Sequence, residues 1–294
     1  MPEGDTIFRA ARTLNRALAG QVVTGFETQL PLLARVDHDE PLKGRTVESV
    51  DAAGKWMRIY FSQDLILLTH MLMSGSWHIY RPSEAWQRPS MQMRIAIYTA
   101  AFTAVAFNVP IAEFHTAATL ARHRSVQGLG PDVLGTEFDE AAAANRIRSE
   151  PDLEIGVALL RQSLVAGLGN VFKSEVCFAS RVNPFRRVSA LQDAELASLM
   201  QNARKFLLAN VASGSGDRIV TYSGHRRTTG RNDPSENLWV YKRKGEPCRR
   251  CGTAIASHKQ GEDARVTFWC PTCQPLRALL ACNPVDRRAK PGDG

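Results

Sequence analysis

Hydrophobic positions along this chain change their period twice, and the changes divide it. Ile7, Leu14 and Leu18 fall at helical spacing, so residues 2–19 read as a helix that Gly20 stops. Short β-rich runs follow at 22–28, 46–52, 57–61, 65–70, 76–80, 91–99 and 101–107. Gly and Pro punctuate them at the spacing of a sandwich or barrel. From about Leu129 the pattern turns helical. Residues 138–148 are Ala-rich behind Thr136 as a cap, and 154–162, 170–180 and 193–211 read as three further helices. Gly128-Leu129-Gly130-Pro131 is the expected linker, and a Gly/Ser break at 213–216 ends the helices. After Asn283 the mixture of Pro, Gly and charge reads as a disordered tail.

At 294 residues the chain has room for about two domains, each with its own core. A hydrophobic share of 44% argues against wholesale disorder. No apolar run reaches the ~20 residues that span a bilayer, and Met-Pro-Glu-Gly-Asp-Thr is no secretory leader. The expected compartment is therefore a reducing cytosol, where paired cysteines more often mean metal than disulfide. The formal net charge is +8. Residues 217–294 hold fifteen Lys/Arg against eight Asp/Glu, so nearly all the excess sits in the last quarter. A module that grips phosphates concentrates charge in this way.

That quarter also carries the cysteines. Cys248-x2-Cys251 and, after eighteen intervening residues, Cys270-x2-Cys273 have the spacing of a four-thiolate zinc site. Two such turns close a tetrahedron with no open position, which makes one zinc structural rather than catalytic. A redox pair lacks a βαβ context here, and two disulfides lack an oxidising compartment. Between the pairs, residues 265–269 alternate as a hairpin strand, with one apolar face and Arg265 on the other. Cys177 and Cys282 are left over, and Cys177, in an apolar helix, reads as a small core residue.

At the other end, loss of Met1 turns Pro2 into a secondary amine. Free α-amino groups titrate near ~7.7–8, so a useful fraction is unprotonated at neutral pH. Such an amine can attack an anomeric carbon and leave an iminium Schiff base. Glu3, beside it, can protonate the sugar ring or the leaving group. Many proteins begin Met-Pro, so this pair says little alone, and Asp5 could simply favour a helix start.

Lys55, in a turn between two strands, is either solvated surface or a reach toward a phosphate or base-linked proton. Leu72 and Met73, in the run from His70 to Gly75, are either core or a wedge into a duplex with an extruded nucleotide. Gly167-Leu168-Gly169 interrupts two helices, and Asn170 starts the next with an exposed amide suited to a phosphate. It is no dinucleotide loop, because Phe172 stands where a third glycine belongs.

Taken in order, these pieces resemble the formamidopyrimidine-DNA glycosylase/endonuclease VIII family: Pro2-Glu3-Gly4, the hairpin lysine, His-Met-Leu-Met-Ser-Gly, Leu129-Gly130-Pro131-Asp132, Gly167-Leu168-Gly169-Asn170 and the four-cysteine finger. The resemblance runs from Pro2 to about Cys273. It implies a multi-domain α+β fold: an N-terminal catalytic β-sandwich with a flanking helix (2–127), a helix–two-turn–helix DNA-binding domain (128–237) and a zinc-finger β-hairpin (238–275), before the tail at 283–294. It implies that Pro2 forms the Schiff base, that Glu3 donates the proton, and that Lys55 contacts DNA near the lesion. It further implies that Asn170 and Arg265 hold flanking phosphates, and that two eliminations, β and δ, cut both sides of the abasic sugar. The opening Pro-Glu-Gly-Asp-Thr is similar to the actinobacterial endonuclease VIII-like branch, which favours oxidised pyrimidines. The chain departs from the family at Thr6, where a glutamate is common, and has no Arg-Phe wedge pair around residues 107–110. Both departures bear on substrate choice.

The implied protein is a bacterial, cytoplasmic, nucleoid-associated monomer that acts on double-stranded or lesion-containing DNA with one structural zinc. Two rival readings are a non-catalytic paralogue that binds damaged DNA, and a transcription factor whose basic finger reads sequence. The Pro2-Glu3 pair argues against the first, and the lack of a recognition helix against the second.

Overall fold

The computed structural model describes residues 2–212, 227–229 and 236–276. Helix α1 (Gly4–Leu18) is followed by β1 (Val23–Thr28), α2 (Pro31–Asp39), β2 (Val47–Ala53), β3 (Trp56–Phe61), β4 (Leu65–His70), β5 (Ser76–Tyr80), β6 (Met93–Thr99), β7 (Thr103–Phe107) and β8 (Ile111–His115). These strands form two four-stranded antiparallel sheets, ordered β1-β6-β7-β5 and β2-β3-β4-β8. Their alternating positions face one another: Val50, Met57, Ile59, Leu65 and Leu67 from one sheet meet Trp77, Ile95, Ile97, Ala104 and Ala106 from the other. The apolar stripe of α1 (Ile7, Leu14, Leu18) closes the same core, and Asn15 Oδ1 accepts the N–H of Val50 at 2.7 Å.

Short helices α3 (Ala117–Leu120) and α4 (Arg124–Gln127) cover the outer face of the second sheet, where Leu120 and Val126 pack on Ile66 and Leu68. A second core gathers α5 (Glu140–Arg148), α6 (Ile155–Ala158), α7 (Asn170–Ala179) and α8 (Asp193–Ala212). The finger hairpin, β9 (Ala256–Gln260) with β10 (Arg265–Trp269), has a small core of its own around Val240, Ile255 and Phe268, which also buries Phe178 of α7.

Several sequence expectations need correction. The cap of α5 is Asp139, which accepts the N–H groups of Ala141 and Ala142 at 2.8 and 3.0 Å, not Thr136. The helix expected over 154–162 lasts only one turn. Its chain tightens to i+3 bonds at Leu160 and Arg161, and Gln162 leaves the helix to bond Leu168 O and the N–H of Gly167. Met91 belongs to a 3-10 turn, Ser90–Gln92, ahead of β6. β10 does not alternate as expected: Val266 is exposed, whereas Thr267 is fully buried. Two elements carry little hydrophobic signal. α2 buries only Leu33, and the edge strand β8 is half-exposed throughout. Cys177 lies in the helical core, its thiol pushed up to about 12 by burial. Cys282, the Gly/Ser break and the expected tail lie outside the described residues.

Candidate active site and nucleic-acid interface

Glu3 sits at the N-cap of α1 with no exposed surface. Its carboxylate crosses to the first turn of α7, where Oε1 accepts the N–H of Val171 at 2.8 Å and Oε2 that of Phe172 at 3.3 Å. A helix N-terminus leaves such N–H groups unpaired and favours negative charge, so one carboxylate answers both needs. Glycines make the approach possible. A Cβ on Gly169 would lie 2.3 Å from Glu3 Cδ, and one on Gly4 would lie 2.8 Å from Gly167 O. Gly167 holds φ +98 and accepts the N–H of Gly4 at 2.8 Å. Pro2, half-buried, is thereby fixed at the junction of the two large domains. Beside it Thr6 turns its hydroxyl toward Asp5 Oδ1 at 3.3 Å, and Asp5 pairs with Arg9 at 3.9 Å.

Lys55 follows Gly54 in the β2–β3 turn, where Gly54 supplies the positive φ of a two-residue hairpin. The Gly54 N–H donates to Asp132 Oδ2 at 2.7 Å, and Leu134 N–H to Oδ1 at 3.0 Å. Burial pushes the Asp132 carboxyl upward, against these two donors. The lysine turn is thus tied to the second domain. Sequence reasoning quoted Asp132 but gave it no task.

His70 is a second residue without an expected role. Burial, with Lys55 nearby, lowers its pKa to about 4, so the ring is neutral at neutral pH. Its Nδ1 accepts the N–H of Leu72 at 3.1 Å. Gly75 N–H closes the turn on Met71 O at 2.8 Å, and a Cβ there would meet that oxygen at 2.6 Å. The result is a knob with Leu72 at φ +44. Leu72 and Met73 are 44% and 59% exposed, which settles them as surface rather than core. Arg265 Nη1 lies 3.9 Å from Met73 Sδ, so the finger hairpin meets this knob.

Asn170 begins α7, but its amide is buried rather than exposed: Nδ2 donates to Val266 O at 2.9 Å, and Oδ1 is buried without a hydrogen-bond partner among the described residues. One turn on, fully buried Lys173 donates to Thr267 Oγ1 at 2.6 Å. Burial lowers its pKa to about 8, with Arg265 adding to the effect. The Thr267 hydroxyl donates in turn to Gln260 Oε1 at 2.8 Å. These bonds explain why β10 breaks its alternation: a buried ammonium needs the hydroxyl. The sole sequence signal was a lysine in an otherwise apolar helix. Buried Glu175 anchors the approach to the finger by accepting the N–H groups of Trp239, Val240 and Tyr241 and the hydroxyl of Thr228.

In the finger, all four cysteine sulfurs lie within 4.8 Å of one another. Sγ–Sγ separations are 3.9 Å for Cys248–Cys273 and 3.4 Å for Cys251–Cys270. Four sulfurs about 2.3 Å from one zinc stand roughly 3.8 Å apart, so the set fits a closed structural site for one zinc.

Three domain descriptions match this chain: the formamidopyrimidine-DNA glycosylase N-terminal domain over 1–110, its H2TH domain over 129–221, and the zinc finger found in FPG and IleRS over 245–276. The chain is 40% identical to the probable endonuclease 8 2 of Streptomyces coelicolor, over 93% of this chain and 94% of that one. It is 37% identical to the DNA-(apurinic or apyrimidinic site) lyase Nei2 of Mycolicibacterium smegmatis, over 93% and 99%. Its fold matches Lactococcus lactis Fpg in complex with abasic-site DNA, with a TM-score of 0.78 at 22% identity over 93% of this chain and 99% of that one.

Proposed function

This chain belongs to the formamidopyrimidine-DNA glycosylase/endonuclease VIII family and is a DNA glycosylase/AP lyase of base excision repair; on that premise we propose that its nucleophile is the Pro2 amine and its preferred substrates oxidised pyrimidines. The observation that carries the reading is the burial of Glu3 against α7, which sets Pro2 beside a fixed carboxyl group at the domain junction. The unprotonated amine attacks C1′ of the damaged nucleotide as the glycosidic bond breaks. Glu3 supplies the proton that the departing base or the opening ring oxygen takes up. The nitrogen then gives its own proton to Glu3, which passes it to whichever of the two has not yet been protonated, and as the C1′–O4′ bond opens the adduct becomes a ring-opened iminium. Loss of a C2′ proton expels the 3′ phosphate, and a second elimination expels the 5′ phosphate.

The remaining assignments are part of the same proposal, and the exposure of the Leu72–Met73 knob supports them. Leu72 and Met73 fill the gap left by the extruded nucleotide, Lys55 contacts DNA close to the lesion, and Arg265 takes a phosphate. Asn170, its donor occupied by Val266, acts through the hairpin it holds. The zinc keeps that hairpin folded and takes no part in the chemistry. The preference for pyrimidines rests on the endonuclease 8 relatives at 36–40% identity. The setting we assign is a bacterial cytoplasm, with the protein acting as a monomer on the nucleoid; among the described residues no helix is long and apolar enough to cross a membrane.

Borohydride trapping on abasic-site DNA tests the nucleophile. The expected result is a covalent adduct mapped to Pro2, lost in Pro2→Ala and in protein that retains Met1. Undiminished trapping in either refutes the assignment.

A further inference from the structure

The outer face of the second sheet carries a cluster that none of the chemistry above uses. Glu113 and His115 alternate on β8, opposite Leu68 and Ile66 of β4, and His123 descends onto them from the start of α4. Glu113 Oε2 lies 3.0 Å from His115 Nε2 and 3.3 Å from His123 Nε2, and all three donor atoms fall within 4.8 Å of one another. Donor atoms about 2.0–2.1 Å from a tetrahedral zinc stand roughly 3.3 Å apart, so two of the three separations already have the value a shared ion requires.

The far nitrogen of His115 is held as well: Nδ1 lies 3.3 Å from the Thr119 hydroxyl, which is itself fixed by the Thr116 N–H at 2.8 Å and by Thr116 O at 3.1 Å. With its proton on Nδ1, facing that oxygen, the ring offers the Nε2 lone pair to an ion shared with Glu113. An imidazole whose far nitrogen donates to a fixed oxygen is the usual arrangement of a metal-bound histidine.

We propose that Glu113, His115 and His123 bind a second divalent transition-metal ion, of which zinc is the best match to two imidazoles and one carboxylate. The Glu113 side chain is 45% exposed, which leaves the fourth position to solvent. The ion would tie the edge strand β8 to the segment that begins α4 and runs, five residues beyond His123, into Gly128 and the crossing to the second domain. Its role is to staple that crossing; it stands apart from Pro2 and Glu3.

Zinc titration into protein already holding its finger zinc provides the test, read by calorimetry and by elemental analysis after dialysis at pH 7.5. The expected result is a second equivalent that raises Tm, and that is absent in His115→Ala, His123→Ala and Glu113→Gln while the finger zinc stays. Thr119→Val, which keeps all three ligands, should weaken the second site by about 10–100-fold. Cobalt substitution adds a signature: the second equivalent should show weak visible bands without the thiolate charge-transfer absorption of the finger. Binding of a single equivalent by the parent, or a second equivalent that survives the histidine variants, overturns the proposal.

Discussion

The carboxylate of Glu3 accepts the N–H of Val171 at 2.8 Å, joining the third residue of the chain to the first turn of a helix in the other large domain. Replacing Glu3 with Gln keeps the shape and one acceptor, but sets an amide NH2 against a backbone donor and removes the transferable proton. Base excision under single-turnover conditions should fall by about 10²–10⁴-fold, with binding of undamaged duplex retained. Excision at the parent rate would show that Glu3 is a structural cap alone.

Gly169→Ala separates position from identity. Its backbone, at φ −133, suits any residue, so the single fault is a Cβ 2.3 Å from Glu3 Cδ. The side chain of Glu3 must move. Excision should drop to the level of Glu3→Gln while zinc content and far-ultraviolet dichroism stay unchanged. Normal turnover would mean that the observed seat of Glu3 is dispensable.

Removing one thiolate tests the finger. Cys251→Ala should lower zinc by one equivalent and loosen β9–β10, because the metal supplies folding free energy to so small a core. Arg265 would lose its mooring, so affinity for duplex should fall as well. Cys177→Ala, in the helical core, should keep the metal. Elemental analysis of both variants decides, and full zinc in Cys251→Ala contradicts the ligand set.

Acid should destabilise the protein through two histidines. Burial holds both His70 and His78 at about 4 in the folded chain, against an ordinary value of 6.5. Between those values the unfolded chain binds more protons, so stability is complete above about pH 6.5 and is lost as pH falls toward 4. At pH 5 the double variant His70→Asn, His78→Asn should take up about two fewer protons on unfolding than the parent. Calorimetry in buffers of different ionisation enthalpy measures the difference, and an unchanged uptake rejects the assignment.

Salt dependence tests the grip. Arg265→Ala removes one phosphate contact, so the slope of log affinity against log salt should flatten by about 0.9 on duplex DNA. The loss should be similar across unrelated sequences, and the saturated chemical step should be intact. A sequence-dependent loss, or slowed chemistry at saturation, would place Arg265 in lesion recognition instead.

What the sequence made legible was local. Cys-x2-Cys turns are patterns whose chemistry lies within a few residues, and the four thiols do come together in the structure; the Pro-Glu start was equally visible, but the seat of Glu3 on α7 was not. β8 and α2 escaped notice because an edge strand and a surface helix bury too little to leave an apolar period. Asn170 was misjudged as exposed because the residue that covers it, Val266, is 96 positions away. The same holds for His70, whose importance lies in one hydrogen bond to a strained neighbour, and for Lys173, whose partner is on the finger. Gln162 shows the general cause: a side chain that reads as helical surface is spent on closing a glycine loop that only the folded chain brings near.

The span between Glu3 and its docking site also sets a clock. Val171 lies 168 residues further along the chain, which a ribosome adding ~5–20 residues per second needs roughly 8–34 s to deliver. Throughout that interval α7 has not been made, so the nascent start of the chain has no seat to occupy and would stay open to removal of Met1. On the assignment proposed above, the Pro2 amine would be freed before the pocket that holds it is made, and the order of synthesis would by itself ready the chain for that chemistry.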